Sequence, residues 1–298
     1  MTKKSTLLLL SLLLSLSLCA QTASRPRVAL VLGGGGAKGA ATVGVLKAVE
    51  ESGVPIDMVV GTSIGSIVGG LYSLGYRSEQ IDSMFRSQEW LELFTGSLMG
   101  DSIVRTLRGM TAAALSSMPQ HGCGKGDQSD SLSFDSLPIP FRCVAVDMLR
   151  MREVVLSSGS LAEAMRASMA IPLVFKPVKM GSMRLVDGGV LNNLPVDVAR
   201  DMGADFVIAV DLTVNKHENG LSGLNALLRP DLKKYGQNCE DADVYINPDL
   251  KGYGAQDFMP RKIAEMIAIG EKAGHHAQKD LKKLKKQLAK GKNERKNL

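Results

Sequence analysis

A serine between two glycines, an aspartate ahead of two more and a run of four glycines are the residues of this chain best suited to covalent chemistry. Gly61-Thr62-Ser63-Ile64-Gly65 is a GxSxG pentapeptide between an apolar strand and a helix. A serine on such a tight strand-to-helix turn is pushed out of the sheet, and flanking glycines permit the strained backbone and close helix packing. Its oxygen also lies at a helix amino terminus, where the dipole favours negative charge. The plain alternative is a Ser/Gly-rich helix start. Gly33-Gly34-Gly35-Gly36-Ala37-Lys38-Gly39 follows the first strand and, from Gly34, satisfies GxGxxG. A dinucleotide loop also wants an acidic residue at the end of the second strand. Here Asp57 precedes that strand, and the strand runs into Gly61-Thr62-Ser63. The other use of consecutive glycines is to aim bare N–H groups at an oxyanion, and the missing acid favours that use. Lys38 adds positive charge there or caps the turn.

Asp187-Gly188-Gly189 ends another strand and leaves room for a hydroxyl to approach the carboxylate. The simpler reading is a turn aspartate before Gly-Gly. Asn192, Asn193 and Pro195 read as the cap of the next helix. A nucleophilic serine ordinarily works with a histidine base. His217, His275 and His276 follow Asp187, so the chain order Ser–Asp–His is formally present. However, Ser63 follows what reads as the second strand, whereas an α/β-hydrolase places its nucleophile after a fifth. His121 and His217 sit in polar stretches, and His275-His276 lie late on a helix. A two-residue engine is the expectation. Without Cys19, the cysteines are Cys123, Cys143 and Cys239, an odd number with no CxxC spacing. No metal site can be written from them.

The elements that must hold these residues alternate. Arg27–Leu32, Met58–Val60, Phe141–Val146, Arg152–Leu156, Val174–Val178, Met183–Val186, Phe206–Val210 and Val244–Ile246 read as strands. Gly39–Ser52, Ser63–Leu74 and Ser78–Phe94 carry helical periodicity. Gly181-Ser182 fits a hairpin turn. Alternation of this kind predicts a layered α/β domain, taken here as a single unit over 25–278. Residues 116–136 and 215–231 read as loops. Met84, Met99, Met110 and Met118 fit either an acyl-binding lid over 95–135 or plain core.

GGGAKG at Gly34–Gly39, GTSIG at Gly61–Gly65 and DGG at Asp187–Gly189, in that order, resemble the patatin-like phospholipase family. ASMAIPLVFKPV at Ala167–Val178 and the stretch Leu185–Leu212 extend the resemblance over most of 25–278. The family implies a three-layer α/β/α fold with a mainly parallel central sheet. It implies Ser63 as nucleophile, Asp187 as its base and proton acceptor, and Gly34, Gly35 and Gly36 as oxyanion hole. Lys38, Gly39, Gly61, Gly65, Gly188 and Gly189 support these motifs. Hydrolysis of a phospholipid or other acyl-ester lipid through an acyl-enzyme is the implied activity, with no cofactor or metal. An acyltransferase using the same dyad and a non-catalytic lipid-binding module are the rival readings. The weak point is basicity, because a free aspartate has a pKa of about 3.9.

Charge adds a last layer. The formal net charge is +6, but residues 279–298 hold nine basic and two acidic residues, a net +7. Lys3 and Lys4 add +2, and residues 21–278 sum to −3. With aromatics at 4%, the body of the chain has no nucleic-acid-binding character. Residues 1–20, with two lysines and the apolar run Leu7–Leu18, fit a secretory signal cleaved near Ala20. Export to the periplasm, the outer membrane or beyond is then expected. Leu281, Leu284 and Leu288 share one helical face among lysines, so the tail reads as a basic handle for peripheral contact with anionic lipid.

Overall fold

A computed structural model describes residues 25–87, 101–117, 132–214 and 232–294. The expected signal segment, His121, His217, Cys123, Met99, Met118 and about half of the proposed lid lie outside them. Among the described residues eight strands form one sheet. Five are mutually parallel and run in the order β3-β2-β1-β7-β8. They are β1 (Val28–Leu32), β2 (Met58–Thr62), β3 (Phe141–Asp147), β7 (Phe206–Val210) and β8 (Val244–Ile246). Beyond them β4 (Arg152–Leu156), β5 (Val178–Met180) and β6 (Met183–Asp187) pair antiparallel.

Each central strand is apolar on both sides, as a sheet covered on two faces requires. In β1, Val28, Leu30 and Leu32 face one apolar core, while Ala29 and Val31 face another. The first core is filled by α1 (Gly39–Ser52), α2 (Ile64–Ser73) and α8 (Pro260–His276). The second is covered by α6 (Val196–Asp201) through Val196, Val198 and Ala199, with Cys239 from α7 (Leu232–Glu240). This is the three-layer arrangement. Helix α8 crosses α1 so closely that a Cβ on Gly270 would lie 1.9 Å from the Ala41 carbonyl oxygen. The remaining helices are α3 (Ser78–Arg86), α4 (Asp101–Ser117), α5 (Leu161–Ser168) and α9 (Gln278–Glu294).

Three expectations need correction. The strand placed at Val174–Val178 is displaced: residues 171–175 form a turn, with the Phe175 N–H donating to Ile171 O, and β5 starts at Val178. Pro172 lies within that turn and Pro177 just after it, and neither has an N–H to donate to a strand ladder. Helix α3 ends at Arg86 with Ser87 extended, and residues 88–94 lie outside the described set. Of the two readings offered for Met84 and Met110, the plain-core one is what is found, since both pack against the core. Finally, Leu281, Leu284 and Leu288 of α9 are buried in the first core. Gln278 Nε2 and Lys285 Nζ tie that helix to the carbonyls of Ala48 and Ser52 in α1. The apolar face expected to meet lipid is therefore occupied, and the domain extends past 278.

Candidate active site

Strand β3 explains why residues 124 positions apart meet. Its pairing with β4 spans Cys143–Asp147, which overlaps both the β2 pairing (Phe141–Val144) and the β6 pairing (Ala145–Asp147). A strand has two edges, so β2 and β6 must share the one opposite β4. They approach along it from opposite ends. Thr62 sits beside Val144 and Asp187 beside Ala145, and the next residue after Thr62 is Ser63.

Ser63 Oγ donates to Asp187 Oδ2 at 2.7 Å, and both residues are buried. The turn that exposes Ser63 to Asp187 holds it at φ 56, ψ −128, a region costly for any residue with a Cβ. Closeness of the following helix sets the flanking residue: a Cβ on Gly65 would lie 2.2 Å from Leu32 O. Gly61 approaches the first turn of α2 in the same manner. The Ser63 N–H donates to Ser168 Oγ at 2.9 Å, and Ser168 in turn donates to Val144 O at 2.6 Å. Ser168, at the end of α5, thus satisfies a buried donor in the strained turn. Local sequence reasoning missed it, since the bond spans 105 positions.

Asp187 is fixed by its own turn, its Oδ1 accepting from Gly189 N at 2.7 Å. Burial pushes its carboxyl up to about 6, outweighing the lowering by the Ser63 and Gly189 donors. That brings it closer to neutrality than a free carboxylate, toward the range in which general bases work. Gly188 supplies the close approach to β3, since a Cβ there would meet Val144 O at 2.2 Å.

The glycine loop lies against this pair. A Cβ on Gly34 would stand 2.9 Å from Ser63 Cβ. Gly34 itself is clamped by Asn193: its N–H donates to Asn193 O and its carbonyl accepts from Asn193 Nδ2, both at 3.2 Å. Gly33 N–H goes to Val210 O and Ala37 N–H to Ala255 O. Gly35 and Gly36 are left with N–H groups that meet no acceptor among the described residues. The Gly34 N–H expected in the oxyanion hole is thus engaged elsewhere. Lys38 Nζ donates to Leu212 O at 2.9 Å and braces the loop against the end of β7. Gly39 lets α1 sit against Ile64.

The two asparagines expected to cap a helix do other work. Pro195 occupies the N-cap position of α6, with no side-chain cap. Asn192 O accepts from Thr62 Oγ1 at 2.9 Å, so Asn192 and Asn193 join the serine turn to the glycine loop. His275 lies on the surface, 3.0 Å from Glu51, and His276 is exposed. No histidine contacts Ser63 or Asp187 among the described residues. Cys143 and Cys239 are buried, and no cluster of potential metal ligands occurs among the described residues.

Comparisons with known proteins bear on the family and the fold. The chain is 38% identical over 188 residues to patatin-like phospholipase domain-containing protein 6 of Homo sapiens, covering 62% of this chain and 13% of that protein. It is 32% identical over 291 residues to lysophospholipase nte1 of Aspergillus niger, covering 86% and 18%. The chain therefore spans less than a fifth of the length of these relatives. The crystal structure of VipD from Legionella pneumophila superposes with a TM-score of 0.55 at 15% identity, covering 86% of this chain and 67% of that one, a likeness of fold. Since the patatin-like phospholipase model matches residues 30–200, well over half of its length, the chain belongs to the patatin-like phospholipase family.

Proposed function

We propose that the protein is a serine acyl hydrolase of phospholipids or lysophospholipids that works through a Ser63–Asp187 dyad. The observation that carries the reading is the 2.7 Å bond from Ser63 Oγ to a buried carboxylate at the tip of a strained turn. Family membership and the lysophospholipase among the relatives support a lipid ester as substrate.

Asp187 accepts the Ser63 proton as Oγ attacks the ester carbonyl. The tetrahedral oxyanion is received by the glycine loop, with the Gly35 and Gly36 N–H groups as donors and Gly34 as the clamped approach. Asp187 then returns the proton to the departing alcohol, here the lysolipid or glycerol oxygen. Water, deprotonated by Asp187, attacks the acyl-Ser63; the acyl–Oγ bond breaks, Asp187 returns that proton to Ser63 Oγ, and the fatty acid leaves. Every proton passes through one carboxylate, and no metal is needed.

Release of fatty acid from lysophosphatidylcholine tests this. Ser63→Ala and Asp187→Asn should each lower kcat by about a thousandfold or more. Near-native turnover in Asp187→Asn would remove the dyad from the mechanism.

A further inference from the structure

The end of the sheet that carries the dyad is rimmed by two segments whose surface chemistry the hydrolytic reading does not use. One is the β3–β4 turn, residues 148–151; the other is residues 171–184, which lead into β5 and the β5–β6 hairpin. Both belong to this end: β3 runs parallel to β2 and ends at Asp147, three residues past the Val144 that pairs with Thr62, while Asp187 N donates to Ala170 O just before the second segment.

Eight large hydrophobic side chains are exposed among the described residues, and five of them stand here. Leu173 is 88% exposed, Leu149 63% and Met151 60%, with Met148 and Val174 beside them. Residues 148–151 and 171–184 also hold four cations, Arg150, Lys176, Lys179 and Arg184, and no Asp or Glu, with Arg152 following at the start of β4. This stands out because residues 21–278 are net acidic.

The rim is a built feature. Buried Asp147 accepts from the N–H groups of Leu149 and Arg184, both at 3.3 Å, and from Arg150 Nη1 at 2.7 Å. Met148 N donates to Arg184 O at 2.9 Å. One carboxylate thus locks the turn to the hairpin. Ser63, Met151 (φ 47) and Leu173 (φ 70) are the three residues other than glycine with positive φ among the described residues. The backbone is strained at the nucleophile and at two of the exposed apolar tips.

We propose that this rim is a docking platform for the surface of an anionic phospholipid membrane. Leu149, Met151 and Leu173 enter the acyl boundary, and the cations of both segments lie at the level of the lipid phosphates. The platform seats the open end of the sheet on the layer that holds the ester, and in that respect it rests on the lipid hydrolase reading. Helix α9 cannot serve in the same way, because its leucines are spent on the core.

The test uses the full chain carrying Ser63→Ala, so that vesicles stay intact, and co-sedimentation with phosphatidylcholine vesicles containing or lacking phosphatidylglycerol. The protein should partition to the anionic vesicles. Leu149→Ser/Leu173→Ser should lower that partition about tenfold or more, and Arg152→Glu/Lys179→Glu should abolish the preference for phosphatidylglycerol. With Ser63 restored, both double variants should keep the native unfolding midpoint and native rates on a soluble short-chain ester. Unchanged partition in both double variants overturns the proposal. Binding lost instead on Lys282→Glu/Lys286→Glu of α9, with the rim variants unaffected, also overturns it. If the native chain binds through the rim yet hydrolyses no ester, the platform stands and the hydrolase reading falls.

Discussion

Asp187 is buried without an ion pair among the described residues, so its ionisation works against the fold. Its carboxyl stands at about 6 in the native chain, against about 3.9 when unfolded. The native state therefore holds the proton more tightly, and stability falls as pH rises from about 4 to about 6. Above that range a cost of about 2–3 kcal/mol persists. Asp187→Asn, which keeps an acceptor for Gly189 N–H, should unfold at higher denaturant at neutral pH by that amount. The gain should vanish below about pH 4. The activity of the native enzyme should move the other way, with kcat/KM rising through about 6 and level above it. Removing the neighbour that holds the serine turn is a separate matter. Ser168→Ala leaves the buried Ser63 N–H without its acceptor, and should cost about 1–3 kcal/mol of stability. It should lower kcat more than it raises KM, as steady-state kinetics would show.

At the scale of elements, the dyad is a product of strand direction. β2 and β6 meet tip to tip on one edge of β3, so a shift in either strand separates Ser63 from Asp187. The helices that back these strands come as close as backbone permits. Gly270→Val should destabilise the chain by about 3 kcal/mol or more, measured by denaturant midpoint, because its side chain would collide with the Ala41 carbonyl. Much of this was legible in the sequence. The strand–glycine–helix unit at 28–52 and the strand–Ser–helix unit at 58–73 follow from local apolar runs ended by glycines. What was not legible was long-range or subtle. The stretch Val174–Val178 looks like a strand until Pro172 just before it and Pro177 within it are weighed. The pairing of Asn193 with Gly34 spans 159 positions, and nothing local distinguishes that asparagine from a helix cap.

At the scale of the whole molecule, the net charge of +6 misleads in two ways. The basic stretch at the carboxyl end is largely a helix of the domain, with leucines in the core and lysines outside. Truncation after Gln278 would strip three buried leucines from the face of α1. The truncated chain should therefore show a lower unfolding midpoint, by several degrees or more in a thermal melt. A chain of native stability would contradict this placement of α9. The amphipathic pattern was correctly visible in the sequence, but periodicity alone does not say whether an apolar stripe meets protein or lipid. The rim beside the active site was invisible for the opposite reason: its cations and hydrophobic tips are brought together by Asp147 and a hairpin, not by spacing.

The account stands or falls on Ser63 as the nucleophile. The most direct measurement is reaction of the full chain with a fluorophosphonate, followed by mass spectrometry of the peptides. One adduct on Ser63 is expected, absent in Ser63→Ala and slowed in Asp187→Asn. An adduct on another residue, or a chain that hydrolyses the ester while Ser63 remains unlabelled, would contradict it.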